Sequence, residues 1–147
     1  VLPEGLVTEG QNVVKAALAA HLKFSVNIMA MDYGPSYEGP MGNYGIQAAI
    51  SLFDFLKALQ PNLPDASIWQ QVEVTPMIGL NDVTTEQFTL KDVDTLKQFA
   101  ASKSLGGLSI WSVMRDMPCA DRWVSPTCSS QNLQTEPYEF EKRFLAK

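Results

Sequence analysis

Short apolar runs alternate along the chain with longer stretches in which apolar residues recur every three or four positions. The short runs predict three buried β-strands, near residues 24–32, 72–78 and 107–113. In the first run, apolar and polar positions hardly alternate, which is typical of a strand covered on both faces in a parallel sheet. We therefore expect parallel pairing among the three strands.

Amphipathic stretches precede, separate and follow these strands. Their apolar spacing predicts helices over residues 8–21, 43–59, 64–71, 89–103 and 137–146. Such alternation indicates repeated βα units around a parallel sheet, and hence an α/β fold. No Gly-x-Gly-x-x-Gly segment or phosphate-binding loop follows any strand, which disfavours a doubly wound nucleotide-binding domain.

Local signals refine two of the helices. Thr8 with Gln11 and Thr89 with Asp92 both have capping-box spacing, which predicts a side-chain cap at each helix start. Trp69, in the short helix, is expected to point into the core.

Composition limits the classes of partner. The 147 residues are 46% apolar, carry a net charge of −5 and contain no cluster of Lys or Arg. These properties argue against nucleic acid or an anionic membrane as a partner. No apolar run approaches the roughly 20 residues that span a bilayer. The first residue is Val, so we expect that a segment upstream has been removed or left out.

Two cysteines, Cys119 and Cys128, lie close together in a loop that contains Pro and Ser. In an exported protein they would form a disulfide, and in a cytosolic one they would be free thiols. A metal site is disfavoured because His21 is the only histidine and there is no second pair of cysteines. We expect neither a metal nor a cofactor.

The predicted strand ends carry residues that a purely structural strand would not need. Asp32 directly follows an apolar run, and Trp111 lies between the small residues Ser109 and Ser112, as if its ring faced an open space. In parallel α/β folds, functional groups gather at these carboxyl ends. The three strand ends are therefore the candidate site.

The same segments resemble family-18 chitinases of the bacterial type. Residues 27–34 (NIMAMDYG), 75–82 (TPMIGLND) and 106–112 (GGLSIWS) are similar to the sixth, seventh and eighth strands of that family. Residues 1–6 resemble the end of its fifth strand, and the 119–128 loop resembles its tail. The likeness runs the length of the chain, with its motifs in the family's order.

The resemblance implies that residues 1–147 are one C-terminal portion of a (β/α)₈ TIM barrel, from the end of strand 5 through helix 8, with the first four strands absent. It implies hydrolysis of chitin, a β-1,4-linked N-acetylglucosamine polymer, with retention. The sugar's own 2-acetamido group acts as the nucleophile in that family. It also implies a secreted protein, in which Cys119 and Cys128 are bridged.

Site roles follow from the same resemblance. Tyr33 would hydrogen-bond the acetamido group, and Asp32 would order the polar network or contact sugar hydroxyls. Trp111 would form the floor under the sugar, and Met29 and Met31 would line the wall. Strand alternation places residues 29, 31 and 33 on one face, so Tyr33 would reach the barrel mouth and Asp32 would face outward unless the strand twists.

The general acid is the main departure from the family. Its Asp-x-x-Asp-x-Asp-x-Glu motif does not occur here, and the close carboxylate groups fall on a predicted helix (residues 92–94) and in the tail (residues 136–141). We therefore expect the chain alone to be inactive and its partners to be chitin and the N-terminal remainder of the barrel. The alternatives are a chitinase-like lectin that has lost the acid, or an unrelated α/β barrel enzyme.

Overall fold

The computed structural model describes residues 1–146, and its helices and strands alternate as the apolar pattern predicts. In chain order the elements are α1 (Thr8–Ala19), β1 (Val26–Ala30), α2 (Met41–Leu59), α3 (Asp65–Trp69), β2 (Val72–Pro76), β3 (Gly79–Leu80), β4 (Gln87–Phe88), α4 (Leu90–Lys103), β5 (Gly107–Leu108) and α5 (Glu139–Leu145).

Three strands form a parallel sheet in the order β1-β2-β5, so the prediction of parallel pairing is confirmed. The third strand is shorter than residues 107–113. Beyond β5 the chain makes one isolated parallel bridge, between Trp111 and Met77. It then turns into a single 3₁₀ turn, Val113–Arg115, which ends the pairing.

Helices α2 and α4 pack together over one face of the sheet. On that face the strands bury Ile28 and Ala30 from β1 and Val72 and Val74 from β2. Removal of these apolar side chains from water is the main stabilising contribution of the sheet. The other large buried side chains that pack into this core are Leu52, Leu56, Ile68, Phe88, Leu96 and Phe140.

Aromatic rings join the helices to one another. Trp69 is almost completely buried, as predicted, and stacks on Phe53 with ring centroids 4.0 Å apart. Phe99 from α4 meets the same indole edge-on at 5.8 Å. Trp69 therefore ties α3 to both longer helices, since stacked and edge-to-face pairs are each favourable arrangements.

The opposite face of the sheet carries no helix among the described residues. Met29 is 44% exposed on this face, and Asn27 and Ser109 are exposed beside it. Thr75 donates its hydroxyl hydrogen to Asn27 Oδ1 at 2.7 Å. Parallel sheets are normally covered on both faces, so half of this sheet's usual packing surface faces outward. We call it the uncovered face.

A hairpin formed by β3 and β4 was not predicted. Each strand has two residues, too few to show alternation in the sequence, and burial of Leu80 and Phe88 holds them in place. Gly79 starts the hairpin with φ of 77°, and a Cβ there would lie 2.2 Å from the carbonyl oxygen of Ser129. Only glycine fits this close approach.

The two predicted capping boxes differ in outcome. At α4, the Thr89 side chain accepts from the Asp92 N–H and Asp92 accepts from the Thr89 N–H, so the prediction is confirmed. At α1, Val7 is the N-cap and makes no side-chain cap, so the prediction is wrong. Gln11 instead donates its amide hydrogen to the Leu6 carbonyl at 2.9 Å.

The C-terminal helix is held by one buried carboxylate. Asp116 has no exposed surface and accepts from the N–H groups of Phe140, at 3.1 Å, and Glu141, at 2.7 Å, in the first turn of α5. Gln134 donates to the same carboxylate at 2.9 Å. Unpaired N–H groups at a helix start favour an anion there, which helps to fix α5 in its position against α4. Among residues 1–146, no helix has both the length and the apolar character needed to cross a bilayer.

Asp92 joins two helices, because it caps α4 and also accepts from the Gly42 N–H at 2.8 Å. Asp92→Ala is expected to lower the free energy of unfolding by about 2–3 kcal/mol, since it removes a cap and leaves a buried N–H unpaired. Urea unfolding measures this change. In the control Asp94→Ala, which removes an exposed ion pair with Arg143, we expect a loss below about 1 kcal/mol. Equal losses would contradict the double role.

Candidate active site

Parallel pairing brings the carboxyl ends of β1, β2 and β5 to one edge of the sheet. Beyond β5, the Trp111 N–H donates to the Pro76 carbonyl at 2.9 Å, and the Ile78 N–H donates to the Trp111 carbonyl at 3.0 Å. Trp111 is thus tied through its backbone to the end of β2. Its side chain is nevertheless 53% exposed, which agrees with the expectation of a ring facing open space.

A cleft of about 230 Å³ lies beside Trp111. It is smaller than the roughly 300–1,000 Å³ typical of a complete ligand pocket. Its walls combine apolar side chains with hydroxyl, carboxylate and guanidinium groups. The lining residues are Met77, Asp82, Trp111, Ser112, Arg115, Val124, Ser125 and Pro126.

Sequence reasoning overlooked several of these lining residues. Asp82, which follows β3, and residues 124–126 were not among the predicted site residues. The available signal was the closeness of residues 124–126 in sequence to Trp111. The bridged cysteines are nine positions apart in sequence. The loop between them therefore cannot extend far from the strand end that precedes it.

The disulfide between Cys119 and Cys128 is present, with a sulfur–sulfur distance of 2.03 Å. The prediction of a bridge is confirmed. Asp121 lies close enough to form a ligand-like cluster with the two sulfurs. The sulfurs are bonded to each other, however, so they are not thiolate ligands. Their role is to close the loop that forms one wall of the cleft.

Arg115 supports the cleft from below. Its guanidinium is buried and donates to the carbonyl oxygens of Ile78, at 3.1 Å, and of Leu80 and Ser125. Burial lowers the pKa of Arg115, while the carboxylates of Asp82 and Asp32 raise it. The cation therefore joins the β3 region to the disulfide loop and lies within the field of both strand-end carboxylates.

Asp32 is exposed at the end of β1 and adopts a left-handed backbone conformation, with φ of 52°. Asp tolerates this conformation better than most residues. Its Oδ1 accepts from the Val83 N–H at 3.0 Å, across 51 positions of sequence. The Asp32 side chain therefore links the loop after β1 to the β3–β4 connection.

Tyr33 lies elsewhere than strand alternation predicts. The left-handed turn at Asp32 reverses the alternation, so Asp32 is exposed and Tyr33 is only 5% exposed. Its ring packs against Tyr37 and Tyr44, with centroids 5.8 and 6.1 Å away. Tyr33 is thus enclosed and Asp32 is exposed, the reverse of what continued strand alternation predicts.

The phenol oxygen of Tyr33 has no hydrogen-bond partner among the described residues. Burial, with a smaller contribution from the Glu86 carboxylate, raises the pKa of Tyr33. The hydroxyl is thus a neutral, enclosed group.

Met29 and Met31 keep the positions that the pattern predicts. Met29 projects from the uncovered face, and Met31, two residues further along, is half-buried near the strand end. Neither lines the cleft beside Trp111. The methionine that lines this cleft is Met77, whose backbone forms a parallel β-bridge with Trp111.

Glu86 is a buried carboxyl that sequence reasoning missed. It has no exposed surface, and its Oε1 accepts from the Gly34 N–H at 2.8 Å. Burial raises the pKa of Glu86; the Gly34 N–H lowers it, and the Asp32 carboxylate raises it again. No pattern in the sequence marks this residue, because a glutamate in a polar loop reads as a solvated side chain.

A larger groove of about 550 Å³ lies between the starts of α2 and α4, lined in part by Asn43, Thr89 and Thr95. None of its lining residues lies in β1, β2 or β5, although Gln87 of β4 is among them. The cleft at Trp111 is smaller, but it combines an exposed aromatic ring with charged groups at the carboxyl edge of the sheet. We place the candidate site there, since parallel α/β folds position ligands at that edge.

Known proteins are similar to this chain along most of its length. The chain is 40% identical over 129 residues to Endochitinase 11 of Metarhizium anisopliae, a match covering 82% of this chain. It is also 40% identical over 127 residues to a probable bifunctional chitinase/lysozyme of Escherichia coli K12, with 80% of this chain covered. No family model matches the sequence.

Solved structures give the same result. A catalytic-site mutant of active domain 2 of a thermostable chitinase from Pyrococcus furiosus, complexed with chito-oligosaccharides, superposes on 98% of this chain. The TM-score is 0.89 and the identity is 31%. Over nearly all of its length, this chain is similar to family-18 chitinase catalytic domains. A second structure, the catalytic domain of a hyperthermophilic chitinase from the same organism, has a TM-score of 0.84 at 29% identity.

The family-18 relatives are longer than this chain. The match covers 25% of the Metarhizium protein and 14% of the Escherichia coli protein. It covers 46% of the first solved Pyrococcus chain and 50% of the second. The chain thus spans a quarter or less of the curated relatives and about half of a solved chitinase domain. Its α/β fold is similar to that part of a chitinase catalytic domain.

Proposed function

We propose that residues 1–147 are the C-terminal part of one (β/α)₈ chitinase barrel, from the end of strand 5 through helix 8. The complete protein would hydrolyse β-1,4-linked N-acetylglucosamine polymers with retention, through the substrate's own acetamido group. The observation that carries this proposal is the exposed Trp111 beside a polar cleft, at the carboxyl edge of a sheet that matches a chitinase domain.

The uncovered face supports the idea of an incomplete barrel. A parallel sheet with helices on one face only, and with the outer edges of β1 and β5 unpaired among the described residues, lacks its usual packing. In a closed barrel the uncovered face would be the interior, and further strands would pair with both edges. The N-terminal remainder of the barrel would supply those strands and the general acid.

Trp111 would be the floor of the sugar site. The apolar face of a pyranose ring can stack on an indole, and the ring is already held open to solvent by backbone bonds to the end of β2. Met29 and Met31 would form apolar wall in the closed barrel. A polar cleft beside an aromatic surface fits a sugar, whose ring has apolar faces and a polar rim.

Asp32 would contact the sugar directly. It is exposed and fixed by the Val83 N–H, whereas the Tyr33 hydroxyl is enclosed by other tyrosines. We therefore reassign the polar contact with the acetamido group or its neighbouring hydroxyls from Tyr33 to Asp32. Tyr33 would keep an indirect role, packing beneath the turn that presents Asp32.

A secreted location is part of the same proposal. The Cys119–Cys128 bridge supports it, because disulfides persist mainly in oxidising compartments outside the cytosol. The partners would be chitin or chito-oligosaccharides and the missing part of the barrel.

The chain on its own is expected to show no turnover of a chito-oligosaccharide, because the family's acid-bearing motif is absent from it. Mixing or co-expression with a polypeptide that contains the missing strands should restore hydrolysis. As a control, the complementing polypeptide would carry Gln in place of the acidic Glu of its own motif. Sugar binding without turnover by the reassembled protein would favour the lectin alternative. Robust turnover by the chain alone would contradict the assignment of the acid.

Trp111→Ala in the complete protein should weaken binding of a chito-oligosaccharide by about 2 kcal/mol, or roughly thirtyfold in Kd, because an aromatic stacking surface is lost. Trp111→Phe keeps a smaller ring and should retain most of the affinity. Isothermal titration calorimetry of both variants measures the difference. Equal affinity of Trp111→Ala and wild type would remove Trp111 from the site.

Asp32→Asn should lower kcat by about tenfold or more, since it removes charge next to a developing cationic intermediate. Tyr33→Phe should change kcat by less than about twofold, because its hydroxyl is buried and unpartnered. Asp54→Asn, on the exposed side of α2, is the matched control. Steady-state kinetics on one substrate compares all three. Loss of turnover in Tyr33→Phe alone would reverse our assignment.

A further inference from the structure

Glu86 places a carboxyl group in the protein interior, where a charge is costly to bury. It has no exposed surface, its Oε1 receives one backbone N–H, and its Oε2 has no partner among the described residues. Removing a carboxylate from water without full hydrogen bonding destabilises a protein. A buried, half-satisfied carboxyl that is nevertheless present calls for a functional explanation.

The turn after β1 is where Glu86 acts. Asp32 and Gly34 both have positive φ, of 52° and 121°. A non-glycine residue in this region is held by its surroundings. The Glu86 carboxylate bonds to the Gly34 N–H at 2.8 Å, two residues after Asp32, so it anchors the far end of the turn that presents the Asp32 side chain.

A second connection runs through the loop between β3 and β4. The Glu86 N–H donates to the Val83 carbonyl at 2.8 Å, and the Val83 N–H donates to Asp32 Oδ1 at 3.0 Å. The Asn81 N–H closes the loop by donating to the Glu86 carbonyl at 3.0 Å. The loop between β3 and β4 thus has two links to the turn after β1. Its Val83 N–H bonds to the Asp32 side chain, and its Glu86 carboxylate bonds to the Gly34 N–H of that turn.

We propose that Glu86 is a positioning residue that fixes the direction of the Asp32 carboxylate at the sugar site. This inference rests on the proposed function of Asp32. Glu86 itself does not touch the sugar: it has no exposed surface and lies under the turn. Its two connections to Asp32 would hold the carboxylate in one orientation before a substrate arrives, which lowers the cost of ordering it during the reaction.

The test compares Glu86→Ala and Glu86→Gln with wild type in the complete protein. Gln keeps a side-chain oxygen that can accept from the Gly34 N–H, whereas Ala removes the acceptor. We expect Glu86→Ala to lower kcat by about tenfold with a change in KM below about threefold, and Glu86→Gln to retain at least about a third of wild-type kcat. Glu9→Ala, an exposed glutamate on α1, is the matched control. Circular dichroism establishes that each variant is folded.

Amide hydrogen exchange provides a second readout, which does not need turnover. In Glu86→Ala, exchange should accelerate by about tenfold at Gly34, which loses its acceptor, and also at Val83, whose acceptor Asp32 is no longer held by the anchored turn. The backbone bond from the Glu86 N–H to the Val83 carbonyl is retained in this variant. Should Glu86→Ala fail to fold, Glu86→Met, which keeps the length of the side chain but has no oxygen acceptor, takes its place with the same expected acceleration at Gly34 and Val83, while exchange in Glu86→Gln should be nearly unchanged.

The outcomes separate the two proposals. Unchanged kcat in a folded variant without the acceptor, or unchanged exchange at Val83 in that variant, overturns the positioning role. A loss of activity that Gln does not rescue also overturns it, because geometry would then not be the cause. Absence of chitin turnover in the wild type would overturn the proposed function, while the exchange at Val83 would still decide whether Glu86 holds Asp32.

Discussion

Parallel pairing of β1 with β2 and of β2 with β5 is the constraint on which the candidate site depends. Because the strands run in the same direction, the residues that follow each strand meet at one edge. The sequence separates Asp32, Val83 in the loop after β2, and Trp111 by more than 25 residues each. In the fold, the Val83 N–H bonds to Asp32, and backbone bonds tie Trp111 to the end of β2. Without that register, these groups would be separate surface residues.

The polar groups buried at this edge lower the stability of the fold but hold the surrounding loops in a defined arrangement. Arg115 and Glu86 are both buried, and each is held by backbone groups rather than by a direct ion pair. Backbone carbonyls and N–H groups offset part of the cost of removing each charge from water. The arrangement keeps the loops after β1 and β2 and the disulfide loop in fixed positions, which suits a site that must orient a substrate.

The uncovered face of the sheet relates the fold of this chain to the small size of its cleft. One side of the sheet is covered by α2 and α4, while the other exposes Asn27, Met29 and Ser109. The same surface would become the interior in a closed barrel. The half-domain match to chitinase structures and the small cleft beside Trp111 have a common explanation: the chain provides part of a binding site whose other part lies on further strands.

The sequence by itself determined the alternation of helices and strands, the parallel pairing, the capping box at Thr89 and the prominence of Trp111. These features depend on local periodicity and on short motifs, which a linear pattern records. It did not determine the β3–β4 hairpin, because two-residue strands show no period. Nor did it determine that Asp32 is exposed and Tyr33 is buried, because the left-handed conformation of Asp32 ends the strand alternation.

Only the tertiary structure decided that Glu86 is buried and that it lies under the turn after β1. That placement depends on contacts between segments about 50 residues apart, and the chemical character of a glutamate is the same in the core as in water. The packing around the side chain, and not its identity, decides whether it is a solvated charge or a support for Asp32.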